Sequence, residues 1–242
     1  MKLYIVRHGD PDYMNDCLTE RGRQEAALLA ERMAKLDFAG IYVSPLGRAR
    51  ETAAFTLEKL GRQGETCDWL REFAPRRFDP DAGRETVVWD WLPQRWTEEE
   101  AYYDRERWMH TPEMEAAFVP AEAAWVAGGL DALLERHGYR RKGNIYEALR
   151  PNRDNVVLFC HFGVECVLLG HLLGISPMPL WHGSCALTTS VTTLVTEERR
   201  QGIAAFRMLG FGDVSHLTAG GLEPSFSGRF CETWDCAEER HD

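Results

Sequence analysis

Two histidines stand at the ends of apolar runs: His8 follows Leu3-Tyr4-Ile5-Val6 with Arg7 between, and His161 follows Val156 to Cys160 directly. Short, partly β-branched apolar runs predict buried strands. Open parallel sheets gather ligands at the carboxyl ends of their strands, so both imidazoles are expected in one crevice. Gly9 and Gly163 come next in each case, where a backbone without a side chain can approach a ligand closely. A third cluster, Ser44-Pro45-Leu46-Gly47-Arg48, follows the apolar Ile41-Tyr42-Val43. Ser44 suits a helix N-cap and Pro45 the first helical position. Arg48 then falls in the first helical turn, where the helix dipole favours anions. An arginine fork grips two oxygens at once. Arg7, Arg48 and a donor on His161 would hold the three equatorial oxygens of a phosphoryl group while His8 attacks in line. Phosphoryl transfer asks little more of a protein than positioning and charge stabilisation.

The elements that must position these residues alternate in type. Strands are predicted at Leu3–Val6, Ile41–Val43 and Val156–Cys160, the last continuous and apolar as parallel strands usually are. Helices are predicted from Thr19 to Leu36, with Ala26, Leu29, Met33 and Leu36 on one side, from Pro45 to about Leu60, and from Val164 to Leu173, ending at Gly174. Val191–Val195 and Ile203–Met208 read as a closing strand pair. The pattern predicts a three-layer α/β/α sandwich with a mostly parallel sheet, as one domain over residues 1–242. From about 75 to 129 the strand signals vanish and charge and tryptophan take over: Trp89, Trp91, Trp96, Trp108 and Trp125. This stretch reads as a helical cap over the carboxyl ends of the strands. Its tryptophans either pack the cap or line a pocket for a bulky or apolar leaving group. The tail, about 223–242, shows no periodicity and reads as irregular.

Composition bounds the partners. Twenty-eight basic against thirty-eight acidic residues give a formal charge of −10. That disfavours nucleic acid, whose backbone demands a basic surface. An anionic substrate therefore needs a local positive pocket against the global field. Seven cysteines, with no Cys-x-x-Cys pair, and no apolar run of membrane-spanning length suggest a reduced, cytoplasmic protein without a membrane partner. His161 and Cys166 lack a second pair at ligand spacing, so no metal is expected, and arginines can neutralise the phosphoryl charge without one.

Together Arg7-His8-Gly9, the run Ser44 to Ala53 (Ser-Pro-Leu-Gly-Arg-Ala-Arg-Glu-Thr-Ala), and His161-Phe162-Gly163 resemble the histidine phosphatase superfamily, which includes cofactor-dependent phosphoglycerate mutases and broad-range phosphatases. Leu18 to Ala26 looks like the entry to that family's first helix. The resemblance covers residues 1 to about 73 and 155 to about 217. It implies that His8 is the phosphorylated nucleophile and that Arg7, Arg48 and His161 bind the phosphoryl group. It also implies an acidic proton donor in a Leu-x-Glu context after the second arginine, matched by Glu72 in Leu70-Arg71-Glu72, with Glu85 and Glu51 as competing carboxylates. Such a donor must be protonated at transfer, since an alkoxide leaves poorly, whereas His8 must be neutral, which flanking arginines favour.

The family's mutases continue Arg-His-Gly with a hydroxyl residue and later an asparagine. Pro11 and Met14 occupy those positions here, and Phe162 replaces a frequent glycine. The expectation is a phosphatase that hydrolyses a small phosphate monoester through a phosphohistidine and releases inorganic phosphate, without a cofactor. The alternatives are mutase-type transfer and a non-catalytic phospholigand-binding protein.

Overall fold

The computed structural model describes residues 1–241. β1 (Lys2–Arg7) is followed by the two-residue strands β2 (Pro11–Asp12) and β3 (Cys17–Leu18), then α1 (Glu20–Met33), β4 (Phe38–Val43), α2 (Gly47–Leu60) and β5 (Glu65–Thr66). Next come a hairpin of β6 (Arg76–Asp79) and β7 (Arg84–Val87), the short helices α3 (Pro93–Trp96) and α4 (Pro112–Ala116), and the long α5 (Val119–Arg136). A second hairpin, β8 (Tyr139–Lys142) and β9 (Ile145–Ala148), precedes β10 (Asn155–Cys160), α6 (Phe162–Leu173) and α7 (Met178–Gly183). β11 (Val191–Arg200), β12 (Ile203–Asp213) and α8 (Ser215–Ala219) complete the elements.

Eight strands form one sheet in the order β5-β4-β10-β1-β11-β12-β9-β8. Pairing is parallel from β5 through β1 and antiparallel from β1 to the far edge. The parallel half expected from the sequence is the half that carries β1, β4 and β10. The antiparallel half is larger than expected because β8 and β9 add to β12. That hairpin escapes a hydrophobicity reading since Arg140, Arg141 and Lys142 dominate β8, while Tyr139 and Tyr146 supply its buried face.

Alternation along the central strands builds the three layers. Leu3 and Ile5 pack into one core with Leu130 of α5 and Leu168 of α6. Tyr4 and Val6 pack into the other with Leu29 and Met33 of α1 and Ala53 of α2. Each large aliphatic side chain so buried contributes about 2 kcal/mol. Thr19 caps α1, its hydroxyl accepting the Gly22 amide at 3.0 Å. Gly61 and Gly174, both left-handed (φ +62° and +70°), end α2 and α6.

The stretch 75–129 departs from the helical cap read from its sequence. It opens with the β6–β7 hairpin and continues through short helical turns into α5, which runs on to Arg136. The hairpin was hidden because its inward positions are polar: Arg77 and Asp79 are buried and paired at 2.9 Å, where a strand signal would show apolar side chains. Residues 222–241 hold no helix or strand. Among the described residues no helix is long and apolar enough to cross a membrane.

Candidate active site

β1 and β10 are parallel neighbours in register, Arg7 opposite Cys160, so their carboxyl ends deliver His8 and His161 side by side. The His8 amide donates to the Cys160 carbonyl at 3.0 Å, and the two imidazole centroids lie 5.1 Å apart. His8, His161 and Arg7 are all nearly inaccessible.

The hydrogen bonds assign the His8 ring. Nδ1 lies 2.7 Å from the Gly9 carbonyl, which can only accept, so Nδ1 carries the proton. Nε2 keeps its lone pair and faces Arg48, whose Nε donates to it at 3.4 Å. Burial, then the positive charges of Arg7 and Arg48, hold the His8 pKa well below the usual histidine range, so the ring is neutral at pH 7.

His161 is assigned through Ser44. Ser44 was expected to cap α2, but that helix starts at Gly47, two residues later, with Leu46 at its N-cap. The Ser44 hydroxyl instead stands 2.7 Å from His161 Nε2. Ser44 Oγ also accepts the Leu46 amide at 3.3 Å, and with its own proton directed to Nε2 the imidazole proton sits on Nδ1. Nδ1 is buried and has no partner in the protein. Burial, reinforced by His8 and the two arginines, also keeps this ring neutral.

Both arginines are fixed by neighbours remote in sequence. Arg7 donates through Nη1 to the Ala186 carbonyl and through Nη2 to the Ser227 carbonyl at 3.5 Å, leaving its buried Nε without a partner. Gly228 passes so close that a Cβ there would lie 2.4 Å from an Arg7 guanidinium nitrogen. Arg48, in the first turn of α2, is clamped by Asp16, whose carboxylate accepts its Nη1 and the Gly47 amide at 2.6 Å each. Asp16 adopts a left-handed conformation (φ +48°) to reach them.

Glu72 is half-buried beside this cluster. Its Oε1 accepts the Phe73 and Val164 amides at 2.8 and 3.0 Å, at the N-terminus of α6. Desolvation nevertheless outweighs those bonds and the pull of Arg48, and raises its pKa above the usual carboxyl value. Gly163 was read as leaving room for a ligand. It leaves room for the protein instead: a Cβ there would lie 2.6 Å from both Glu72 Oε1 and Trp89 Nε1. The competing carboxylates lie elsewhere. Glu51 bonds the Leu18 amide and Arg23, and Glu85 sits exposed on the β6–β7 hairpin beside Arg76.

The model of the histidine phosphatase superfamily (branch 1) matches residues 3–208. The chain belongs to that superfamily. A probable phosphatase of Schizosaccharomyces pombe is 39% identical over 67 residues, covering 24% of this chain and 32% of that protein. A probable phosphoglycerate mutase, GpmB, of Serratia proteamaculans is 31% identical over 81 residues, covering 30% and 38%. The matched stretches thus span about a third of each of these relatives. Among solved structures, a phosphoserine phosphatase mutant from Entamoeba histolytica in complex with phosphoserine superposes with a TM-score of 0.58 at 19% identity, over 89% of this chain and 98% of that one. At that identity the likeness speaks for the fold.

Within the histidine phosphatase frame, several supporting residues went unseen in the sequence. Thr52 accepts the Gly9 amide at 3.0 Å. Glu25, wholly buried, accepts the Asp10 amide, the Thr188 hydroxyl and the Ser225 amide at 2.9, 2.8 and 3.0 Å, tying three loops to α1. Tyr13 stands with its ring 6.5 Å from His8, under the Arg48 guanidinium at 5.4 Å. Of the five tryptophans, Trp89 lines the cleft beside Glu72, while Trp91 stacks under Arg77, Trp96 on His182, Trp108 against Trp181 and Trp125 under Arg71.

Proposed function

We propose that this histidine phosphatase superfamily member hydrolyses phosphate monoesters through a phosphohistidine on His8. The observation that carries the reading is the set of polar groups buried without a strong partner at the carboxyl ends of β1 and β10. His8 Nε2, met only by the long 3.4 Å contact from Arg48 Nε, the unpartnered Nδ1 of His161 and the unpartnered Nε–H of Arg7 all belong to buried side chains. Buried donors without partners are costly, and a phosphoryl group supplies acceptors for all of them.

In the first step His8 Nε2 bonds to phosphorus as the ester P–O bond breaks, and protonated Glu72 gives its proton to the departing oxygen. Arg7, Arg48 and His161 hold the equatorial oxygens and the charge they carry. In the second step water attacks phosphorus, the N–P bond breaks, and Glu72 takes up the proton of the water. His8 regains its lone pair and inorganic phosphate leaves. Pro11 and Met14, at positions where the family's mutases carry a hydroxyl and an asparagine, support water as the final acceptor. The substrate is a small phosphorylated molecule, in keeping with the phosphoserine held by the E. histolytica relative.

Incubation with a set of phosphate monoesters tests this. His8→Ala should lose at least about 10³-fold in phosphate release. The wild type should trap an acid-labile, alkali-stable phosphoenzyme. Undiminished turnover in the variant would remove His8 from the nucleophile role. Isomerisation of a phosphoglycerate faster than its hydrolysis would replace the phosphatase by a mutase, and tight phosphate binding without turnover of any ester by a phospholigand-binding protein.

A further inference from the structure

The cleft that leads away from Glu72 and Arg48 is open to solvent and offers about 700 Å³, in the range that holds drug-sized ligands. A three-carbon phosphorylated acid would occupy a small part of it. Two properties of its walls decide what else it fits.

The first is charge. Besides Arg48, three arginines line the cleft, Arg71, Arg76 and Arg240. All three are paired. Arg71 is held bidentate by Glu122 at 2.9 and 3.0 Å and lies over Trp125. Arg76 is engaged by the Glu85 carbonyl at 3.0 Å and its carboxylate at 3.8 Å. Arg240 faces Asp90 at 3.7 Å and lies over the Phe230 ring. With each of these arginines already facing an acid, the cleft offers a carboxylate on the leaving group little unbalanced positive charge, and Glu122 would oppose it.

The second property is apolar surface held open. Trp89 lines the cleft floor beside Glu72, its indole N–H turned away to the Phe73 carbonyl, so it presents carbon. Tyr13 is 63% exposed at the boundary with the phosphoryl end. Phe118 is 77% exposed, and its backbone is left-handed (φ +59°, ψ +26°). That conformation is unfavourable for a bulky residue, and such local strain collects at functional positions. Here it holds a benzyl group in water at the cleft wall.

Resting on the phosphatase reading, we infer that the site selects monoesters of a bulky apolar alcohol, aromatic or comparably broad, with no second anionic group. Tyr13, Trp89 and Phe118 contact that group. The discriminating experiment uses primary alkyl esters, so that the leaving oxygen is alike in all: 2-(1-naphthyl)ethyl phosphate, glycerol 3-phosphate and 3-phosphoglycerate. The naphthylethyl ester should have a kcat/KM at least about tenfold above the other two. Phe118→Ser should narrow that ratio by about tenfold, chiefly through KM for the naphthylethyl ester. A 3-phosphoglycerate rate equal or superior, or a ratio unchanged in the variant, overturns the inference and leaves the phosphatase reading standing. Absence of phosphate release from every ester overturns the phosphatase reading. The cleft is then judged by calorimetry: 2-(1-naphthyl)ethylphosphonate should bind more tightly than methylphosphonate to wild type, and equal affinity rejects the apolar site.

Discussion

The two ends of the cleft are built on opposite terms. At the phosphoryl end the groups are directional and mostly buried: His8 is held by the Gly9 carbonyl, His161 by Ser44, and Arg7 by the Ala186 and Ser227 carbonyls. At the leaving-group end the arginines are neutralised in pairs and aromatic carbon faces solvent. The same side-chain type therefore does different work. Arg48 is tied to Asp16 through Nη1 but keeps Nε on the His8 nitrogen, whereas the Arg71 guanidinium is closed by Glu122. Under the proposed function, position relative to His8 separates a phosphoryl-binding cation from a structural one.

Substituting both arginines alike tests that contrast most strongly. Arg48→Leu should reduce kcat/KM by about 10²–10³-fold, the usual cost of removing a preorganised donor to developing charge. Arg71→Leu should change it by less than about threefold, since exposed ion pairs contribute little. Comparable losses in the two variants would dissolve the distinction between the ends.

That contrast also marks what could be seen in the sequence. The phosphoryl end was legible because its residues follow strands or open helices, where local pattern fixes side-chain direction. His8 and Arg7 end β1, His161 caps α6, and Arg48 lies in the first turn of α2. The residues that hold them were not, because each acts across the fold. Ser227 reaches Arg7 from a tail with no periodicity, and Asp16 reaches Arg48 from a loop. Two hidden acids did leave a trace. Glu25 falls on the buried stripe of α1 with Ala26 and Leu29, and Glu165 interrupts the otherwise apolar α6. A charge on an apolar face is a signal that periodicity alone discards. The cleft wall was missed for the opposite reason: Tyr13 and Phe118 are exposed aromatics outside strands and helices, and only the fold brings them to one cleft.

Glu72 sits where the two ends meet, and its substitution should cost less than that of Arg48 with a good leaving group. Glu72→Gln should slow an alkyl phosphate by about 10²-fold and an aryl phosphate of low leaving-group pKa far less. Equal losses would remove it as the proton donor. The pH profile follows from the two shifts. His8 resists protonation, so the nucleophile survives into acid, and the raised Glu72 pKa keeps the donor protonated there. Hydrolysis of alkyl esters should therefore be fastest on the acid side of neutrality and fall as Glu72 ionises. The Glu72→Gln variant should lose that falling limb, and its persistence would assign the limb to another group.

The smallest expected effect on catalysis, yet a measurable one on stability, belongs to Glu165, directly behind the phosphoryl end. It is 1% exposed, and its carboxylate oxygens make no well-formed hydrogen bond beyond the approach of the Thr192 side chain. Burial drives its pKa up to about 7, with Thr192 and Arg7 pulling down and Glu72 pushing up. Cys160 and Cys166 face it as well and remain protonated thiols. Because the folded form holds this proton above the pH at which the unfolded chain releases it, stability from Glu165 is present at low pH and is lost as pH rises to about 7. The loss amounts to about 3 kcal/mol at roughly 1.4 kcal/mol per unit. His8 and His161 act with opposite sign, since the unfolded chain protonates them first as pH falls, so the wild-type profile alone would not isolate it. The difference between Glu165→Gln and wild type does: measured by urea denaturation, the variant should gain about 3 kcal/mol relative to wild type between pH 4.5 and 7.5. A constant difference across that range would mean that Glu165 keeps its charge in the folded protein, with a partner that compensates its burial.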